Sequence, residues 1–173
     1  LPAHWMPDAA YGLGYPAFGF YAALPYYVAA LFARSGCGIL WGIKIAQAMG
    51  FLLAGAATYA LAREMGVAAP GAFLASAAYN LAPFHLVNVY VRGDSLSEFY
   101  AMGLYPLILW ALLRTSQRRT ASNAALLAVT YGSLILCHNI SALIFSPLLG
   151  LCLLALSLRR GMRIKWAVLM TAG

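Results

Sequence analysis

Long apolar runs separated by short polar breaks fill most of the chain. Mostly apolar stretches cover Gly42–Ala62, Gly71–Val91, Phe99–Leu113, Ala121–Cys137 and Ala142–Leu158, and another begins near Trp166. About 20 mostly apolar residues carry a helix across a bilayer, so each run is expected to be a transmembrane helix. Those around Phe99 and Ala142 are short and call for little tilt or partly interfacial ends. Ala121–Leu158 read straight through is too long for one ordinary span, and His138-Asn139 interrupts it. Two short helices with a polar turn at His138–Ser141 avoid burying polar groups in lipid. Pro147 then falls inside the second of them, where neighbours satisfy the carbonyl it frees.

The first apolar run, Phe18–Ala33, has another character. Pro25 breaks it, and Tyr21, Tyr26 and Tyr27 favour the headgroup region. A helix lying on or dipping into the outer leaflet is expected there, within an outer loop over residues 1–41.

Composition turns this pattern into a class. The chain is 64% hydrophobic and 9% charged, against roughly 25% charged in soluble domains. Lipid is the solvent such a surface needs, and the fold expected is an all-α polytopic integral membrane protein, one transmembrane domain over residues 1–173. The net charge of +7 does not point to nucleic acid, because the basic residues sit in short clusters between apolar runs. Cys37, Cys137 and Cys152 show no CxxC spacing and imply neither a metal nor a disulfide framework. The chain starts at Leu1 without a charged segment leading into an apolar core. It reads as an internal piece of a longer membrane protein.

Charge then sets orientation. Arg114, Arg118 and Arg119 form one acid-free cluster, and Arg159, Arg160, Arg163 and Lys165 another. Both are expected in the cytoplasm. Counting helices back from them puts Arg63-Glu64 inside, and Asp8, Arg92–Glu98 and His138–Ser141 outside.

The chain has four carboxylates, and two of them, Asp94 and Glu98, flank one short polar break together with Arg92. Ser95-Leu96-Ser97-Glu98 matches a capping box, in which the Ser95 hydroxyl accepts a backbone N–H and Glu98 reaches back. Arg92 beside such a helix start suits a phosphate, and Asp94 or Glu98 can orient sugar hydroxyls or a divalent metal. The two readings are compatible. Asp8 after Pro7 is either a turn residue or part of the site. His138 holds a pyrophosphate or acts as acid and base, or is a satisfied interfacial histidine beside turn-forming Asn139. His85, two residues after Pro83, is expected to pack, and Lys44 to snorkel.

Several of these residues carry a resemblance. His4-Trp5-Met6-Pro7-Asp8, Gly12-Leu13-Gly14-Tyr15-Pro16 and Leu24-Pro25-Tyr26-Tyr27 resemble the bacterial membrane-protein family labelled 6-pyruvoyl-tetrahydropterin-synthase-related. So do Tyr90-Val91-Arg92-Gly93-Asp94 with Glu98, and the His138-Asn139 turn. The layout is also similar to GT-C polytopic glycosyltransferases, with Leu24–Tyr27 as the outer-loop motif and Ala62-Arg63-Glu64-Met65-Gly66 closing the return helix. Ala23 stands where that pattern has Pro, and His4 where it has Arg. The resemblance implies sugar transfer from a polyprenyl-phosphate donor at the outer face of a bacterial inner membrane. Asp8 and Glu98 would then be the catalytic candidates, with Arg92, Asp94, His138 and Asn139 binding substrate. In GT-C enzymes the catalytic carboxylate follows the first transmembrane helix, a position upstream of Leu1. Pterin synthase activity is not expected, because no zinc-ligand histidine cluster is present. A transporter or structural subunit with a polar outer vestibule is the alternative.

Overall fold

Gly42, Ala46, Gly50 and Ala54 recur every fourth residue, which places them along one ridge of a helix. That ridge organises the structure, a computed structural model that describes residues 5–16, 23–91 and 95–160. The described helices are α1 (Leu24–Phe32), α2 (Gly38–Glu64), α3 (Ala69–Asn80), α4 (Pro83–Tyr90), α5 (Leu96–Gln117), α6 (Ala121–Cys137) and α7 (Asn139–Arg160). A π-helical turn over Ala33–Cys37, with Gly36 at a φ of 102°, joins α1 to α2. No strand is formed among the described residues, and the chain is an all-α membrane protein.

The small ridge of α2 is buried on two neighbours. Bare Gly42 lets the Ala29 carbonyl of α1 come close, so the chain reverses at the π turn and α1 doubles back along α2. The nine described residues of α1 rise about 14 Å, less than half the hydrocarbon core, and residues 17–22 of the expected run Phe18–Ala33 lie outside the described residues. Gly50 receives the ring of Phe99, for which a Cβ would leave no room. Phe99 is 2% exposed and meets Phe51 edge to face, with ring centroids 4.8 Å apart.

The expected single helix over Gly71–Val91 is two helices. Pro83 has no N–H and pushes the residue before it out of the helical region. Ala82 accordingly has a ψ of 134°, and α3 ends on the Leu81 N–H to Ala77 carbonyl bond of 2.9 Å. The Asn80 side chain anchors the break by donating to the Phe51 carbonyl at 3.2 Å.

α5 is the centre of the bundle and longer than its apolar stretch, with Ser95 at the N-cap and Gln117 at its end. Pro106 lies in its interior and cannot donate to the carbonyl four residues before it. That carbonyl belongs to Met102, and the Tyr79 hydroxyl of α3 donates to it at 2.8 Å. Tyr79→Phe should therefore cost about 1 kcal/mol in thermal or denaturant unfolding. In a Pro106→Ala background the new amide takes over the carbonyl, and the cost should largely vanish. Equal losses in both backgrounds would refute the pairing.

α6 matches the expected bounds. Thr120 caps it by accepting the Asn123 N–H at 3.3 Å, and Thr115 of α5 donates to the Asn123 carbonyl at 2.9 Å. α7 starts earlier than Ala142: the break after α6 is His138 alone, with φ −161° and ψ 98°, not a turn of four residues. Tyr131 of α6 donates to Ser146 of α7, the two oxygens 2.6 Å apart, since Ser146 gives its own proton to Ala142. Tyr105 of α5 stacks on Phe145 of α7, centroids 4.7 Å apart.

Three helical runs are long and apolar enough to cross a membrane: Leu24–Glu64, Leu96–Gln117 and Asn139–Leu158. Ala121–Cys137 is apolar but shorter. The starts of α2, α5 and α7 and the end of α6 share one end of the bundle. The Arg63-Glu64 and Arg114–Arg119 breaks share the other.

Candidate functional site

Glu98 sits half-buried in the first turn of α5, at the end of the bundle where α6 gives way to α7. Tyr100, two residues on, lies beside Cys137 and donates to the Ala46 carbonyl of α2 at 2.7 Å. The geometry brings the start of α5 to the His138 break.

The capping box is not formed as expected. Ser95 is the N-cap residue, yet its side chain accepts no backbone N–H. Its hydroxyl instead points to Glu98 Oε2, at a long 3.4 Å. The first helical bond runs from the Phe99 N–H to the Ser95 carbonyl at 2.9 Å. With ψ at 69°, Ser95 is turned so that the carboxylate and hydroxyl face each other. The Ser95 half of the box is thus replaced by a hydroxyl–carboxylate contact. Arg92 and Asp94 lie outside the described residues.

His138 takes the capping role on α7. Its Nδ1 accepts the Ser141 N–H at 3.2 Å and lies 2.7 Å from the Ser141 hydroxyl. A backbone N–H can only donate, so Nδ1 holds a lone pair and the neutral ring carries its proton on Nε2. A histidine held this way is a donor toward an anion before it is a base. Asn139 is exposed and accepts the Ile140 N–H at 2.9 Å, as a turn residue does.

Asp8 belongs to a separate loop. Met6 and Tyr15 exchange two backbone hydrogen bonds of 2.9 Å and close residues 5–16 into a tight turn. Gly14, at a φ of 83°, is where the Trp5 indole packs, and a side chain there would collide with it. Asp8 is exposed at the tip, whereas Glu98 is half-buried.

What lies beneath Glu98 has no signature in the residue pattern. Glu98, Met102, Tyr105 and Leu109 are spaced i, i+4, i+7 and i+11, on one face of α5. Tyr105, Pro106 and Leu109 form the floor of an apolar cavity of about 400 Å³. Thr58 and Leu61 of α2 and Tyr79 of α3 make one wall, and Ile144, Phe145 and Leu148 of α7 the other. Glu98 is about 10 Å above Tyr105 along the helix. A second apolar cavity of about 370 Å³ continues toward the basic end and shares Leu61 and Leu109 with the first. In an apolar helix this stripe reads as ordinary core, and only the separation of α2 from α7 leaves it open.

His85 packs as expected, 4% exposed between the rings of Tyr79 and Phe99, at centroid distances of 4.8 and 6.1 Å. Its Nε2 is buried without a hydrogen-bond partner among the described residues. Lys44 lies 5.1 Å from the centre of the Trp41 ring. Among the described residues no three His, Cys, Asp or Glu side chains are grouped to hold a metal ion.

Long apolar helices around a polar end with an open apolar trough below it define a helical membrane protein. The chain belongs to the 6-pyruvoyl-tetrahydropterin synthase related domain family of membrane proteins, whose pattern it matches over residues 18–172. No curated protein and no solved structure matches it.

Proposed function

We propose that this chain is the donor-binding part of a GT-C-type glycosyltransferase in a bacterial inner membrane. It takes a sugar from a polyprenyl phosphate at the outer face. The observation that carries this reading is the apolar trough floored by Tyr105 and Leu109, about two turns below Glu98 on the same face of α5. A lipid-linked sugar has the same order of parts. Its isoprenoid chain fits the trough, and its phosphate and sugar reach the polar end.

In the reaction an acceptor hydroxyl attacks the anomeric carbon, and the lipid phosphate leaves with the bonding electron pair. Arg92 supplies positive charge to that phosphate, and the Nε2–H of His138 and the Asn139 amide add donors. Asp94 or Glu98 orients the sugar hydroxyls or a divalent metal. Asp8 is the base this segment offers for the acceptor proton. Incubating the full-length protein with a labelled polyprenyl-phosphate sugar tests the reading. Release of the unglycosylated lipid phosphate together with a labelled acceptor is expected.

One observation favours a transporter instead. Broken helices often build solute sites in transporters, and the α3–α4 break lies next to buried His85, whose Nε2 has no partner among the described residues. Uptake of free sugar into proteoliposomes without any lipid product would decide for that reading.

Both readings require the polar end to face outward. Single cysteines at Asp94 and His138, in a background lacking Cys37, Cys137 and Cys152, should react with an impermeant reagent from outside. Cysteines at Arg118 and Arg160 should react only after permeabilisation. On the same proposal, in which Phe18–Ala33 lies on the outer leaflet without crossing, a cysteine at Asp8 should label from outside; labelling from the cytoplasmic side only would refute it. Outside labelling at position 118 would invert the topology and remove the site.

A further inference from the structure

The starts of α2, α5 and α7 lie at the polar end, so these three helices run in one direction, and the two apolar cavities between them follow it. From the upper cavity to the lower, the lining moves on α2 from Thr58 to Met65 and on α5 from Tyr105 to Leu113. On α7 it moves from Ile144 to Leu156. Leu61 and Leu109 line both, so cavities of about 400 and 370 Å³ form one slot along the bundle. Two hydroxyls on its wall are already committed. Thr58 donates to the Ala54 carbonyl and Tyr79 to that of Met102, both at 2.8 Å. Such a wall suits an apolar chain better than a polar solute.

The length of the slot decides which chain. Glu98 marks the polar end, and Leu109 to Leu113 in the lower cavity lie about 16–22 Å below it along α5. One leaflet provides about half of a 30 Å hydrocarbon core, roughly 15 Å. A chain matched to one leaflet and anchored at the polar end therefore stops above the lower cavity, whereas a polyprenyl chain reaches it. Apolar transfer does not favour either, since the bilayer is as apolar as the leucines of the slot. Packing does: a chain that ends in the upper cavity leaves the lower walls without partner atoms.

We infer that the lower cavity is a chain-length subsite, which makes the donor site selective for polyprenyl phosphates over short prenyl phosphates. The distal isoprene units lie against Leu113, Ala155 and Leu156. The inference rests on the donor-binding reading, and a binding experiment without any sugar separates the two.

Full-length protein in phosphatidylcholine nanodiscs is titrated with farnesyl phosphate or undecaprenyl phosphate at equal mole fraction. The thermal midpoint reports each affinity, since a ligand that binds only the folded state stabilises it. The longer chain should bind about tenfold more tightly. Ala155→Phe puts a ring into the lower cavity and should bring undecaprenyl phosphate down to the farnesyl level. Unchanged farnesyl phosphate binding then shows that the variant is folded. Cys152→Phe, one turn earlier on the same wall, should act in the same way. Leu154→Phe, exposed and lining neither cavity, should keep the preference. Equal wild-type affinities for the two phosphates would overturn the subsite and leave the donor reading standing. So would an undiminished preference in both plugged variants. Binding of neither phosphate would overturn the subsite and the donor reading together.

Discussion

Glu98→Gln and Arg92→Lys in the full-length protein are expected to insert and express normally and to lose sugar transfer by about 100-fold or more. The size follows from removing one preorganised charge at a centre where charge develops, which costs about 10²–10³ in rate. Arg92→Lys keeps the charge but not the fork that two phosphate oxygens accept, so it should fall well below wild type. Glu98→Gln is close to isosteric. Loss of a true capping interaction costs about 0.5–2 kcal/mol, and here the hydroxyl of Ser95 turns to the carboxylate without capping the helix. The substitution should therefore leave the thermal midpoint nearly unchanged while activity collapses. The measurement is product formation from a labelled polyprenyl-phosphate sugar in proteoliposomes, alongside unfolding of the same samples. Wild-type transfer by both variants would reduce the Arg92–Glu98 cluster to a helix start and interfacial anchor.

The legible part of the fold was its local chemistry. The apolar run from Ala121 and the polar break at His138 bound α6 correctly, because a polar break acts within a few residues. Pro83 was read as a proline inside one long span, yet its effect on Ala82 divides that span into α3 and α4. Apolar length alone cannot register the break, since both halves are equally greasy. The reverse error occurred in α5, where Ser97, Thr115 and Ser116 look like helix ends and are buried within the helix. Thr115 belongs there because its hydroxyl bonds the Ala111 and Asn123 carbonyls at 2.7 and 2.9 Å.

Of the candidate site, Glu98 and His138 stood out because charged and polar side chains are rare in this chain. That they share one end of the bundle depends on α5 and α6 packing antiparallel, which short connections made foreseeable. The trough did not stand out. Tyr105 and Leu109 differ in nothing but surroundings from the buried Leu104 and Ile108 on another face of the same helix. Which face stays open depends on how far α2 lies from α7, a property of the assembled bundle.

Packing at Gly50 carries the other large effect and ties the core to the site. A Cβ at Gly50 would overlap the ring of Phe99, which is held between Phe51 and His85. Alanine is the better helix former by up to about 1 kcal/mol, but overpacking a filled core costs about 1–3 kcal/mol. The steric term should win, and Gly50→Ala should lower stability by about 1–2 kcal/mol. Gly103→Ala is the control on the facing ridge, because its Cβ would meet Leu53 at 3.4 Å, an ordinary contact. It should be neutral or mildly stabilising. Combining Gly50→Ala with Phe99→Leu should recover part of the loss, since the smaller side chain leaves room for the new methyl and contacting residues are not additive. Phe99 follows Glu98 directly, so a displaced ring moves the first turn of α5. Gly50→Ala should thus reduce sugar transfer more than its stability loss explains, while Gly103→Ala leaves it intact. If both alanine variants unfold and react like wild type, the approach of Phe99 to Gly50 does not set the position of Glu98.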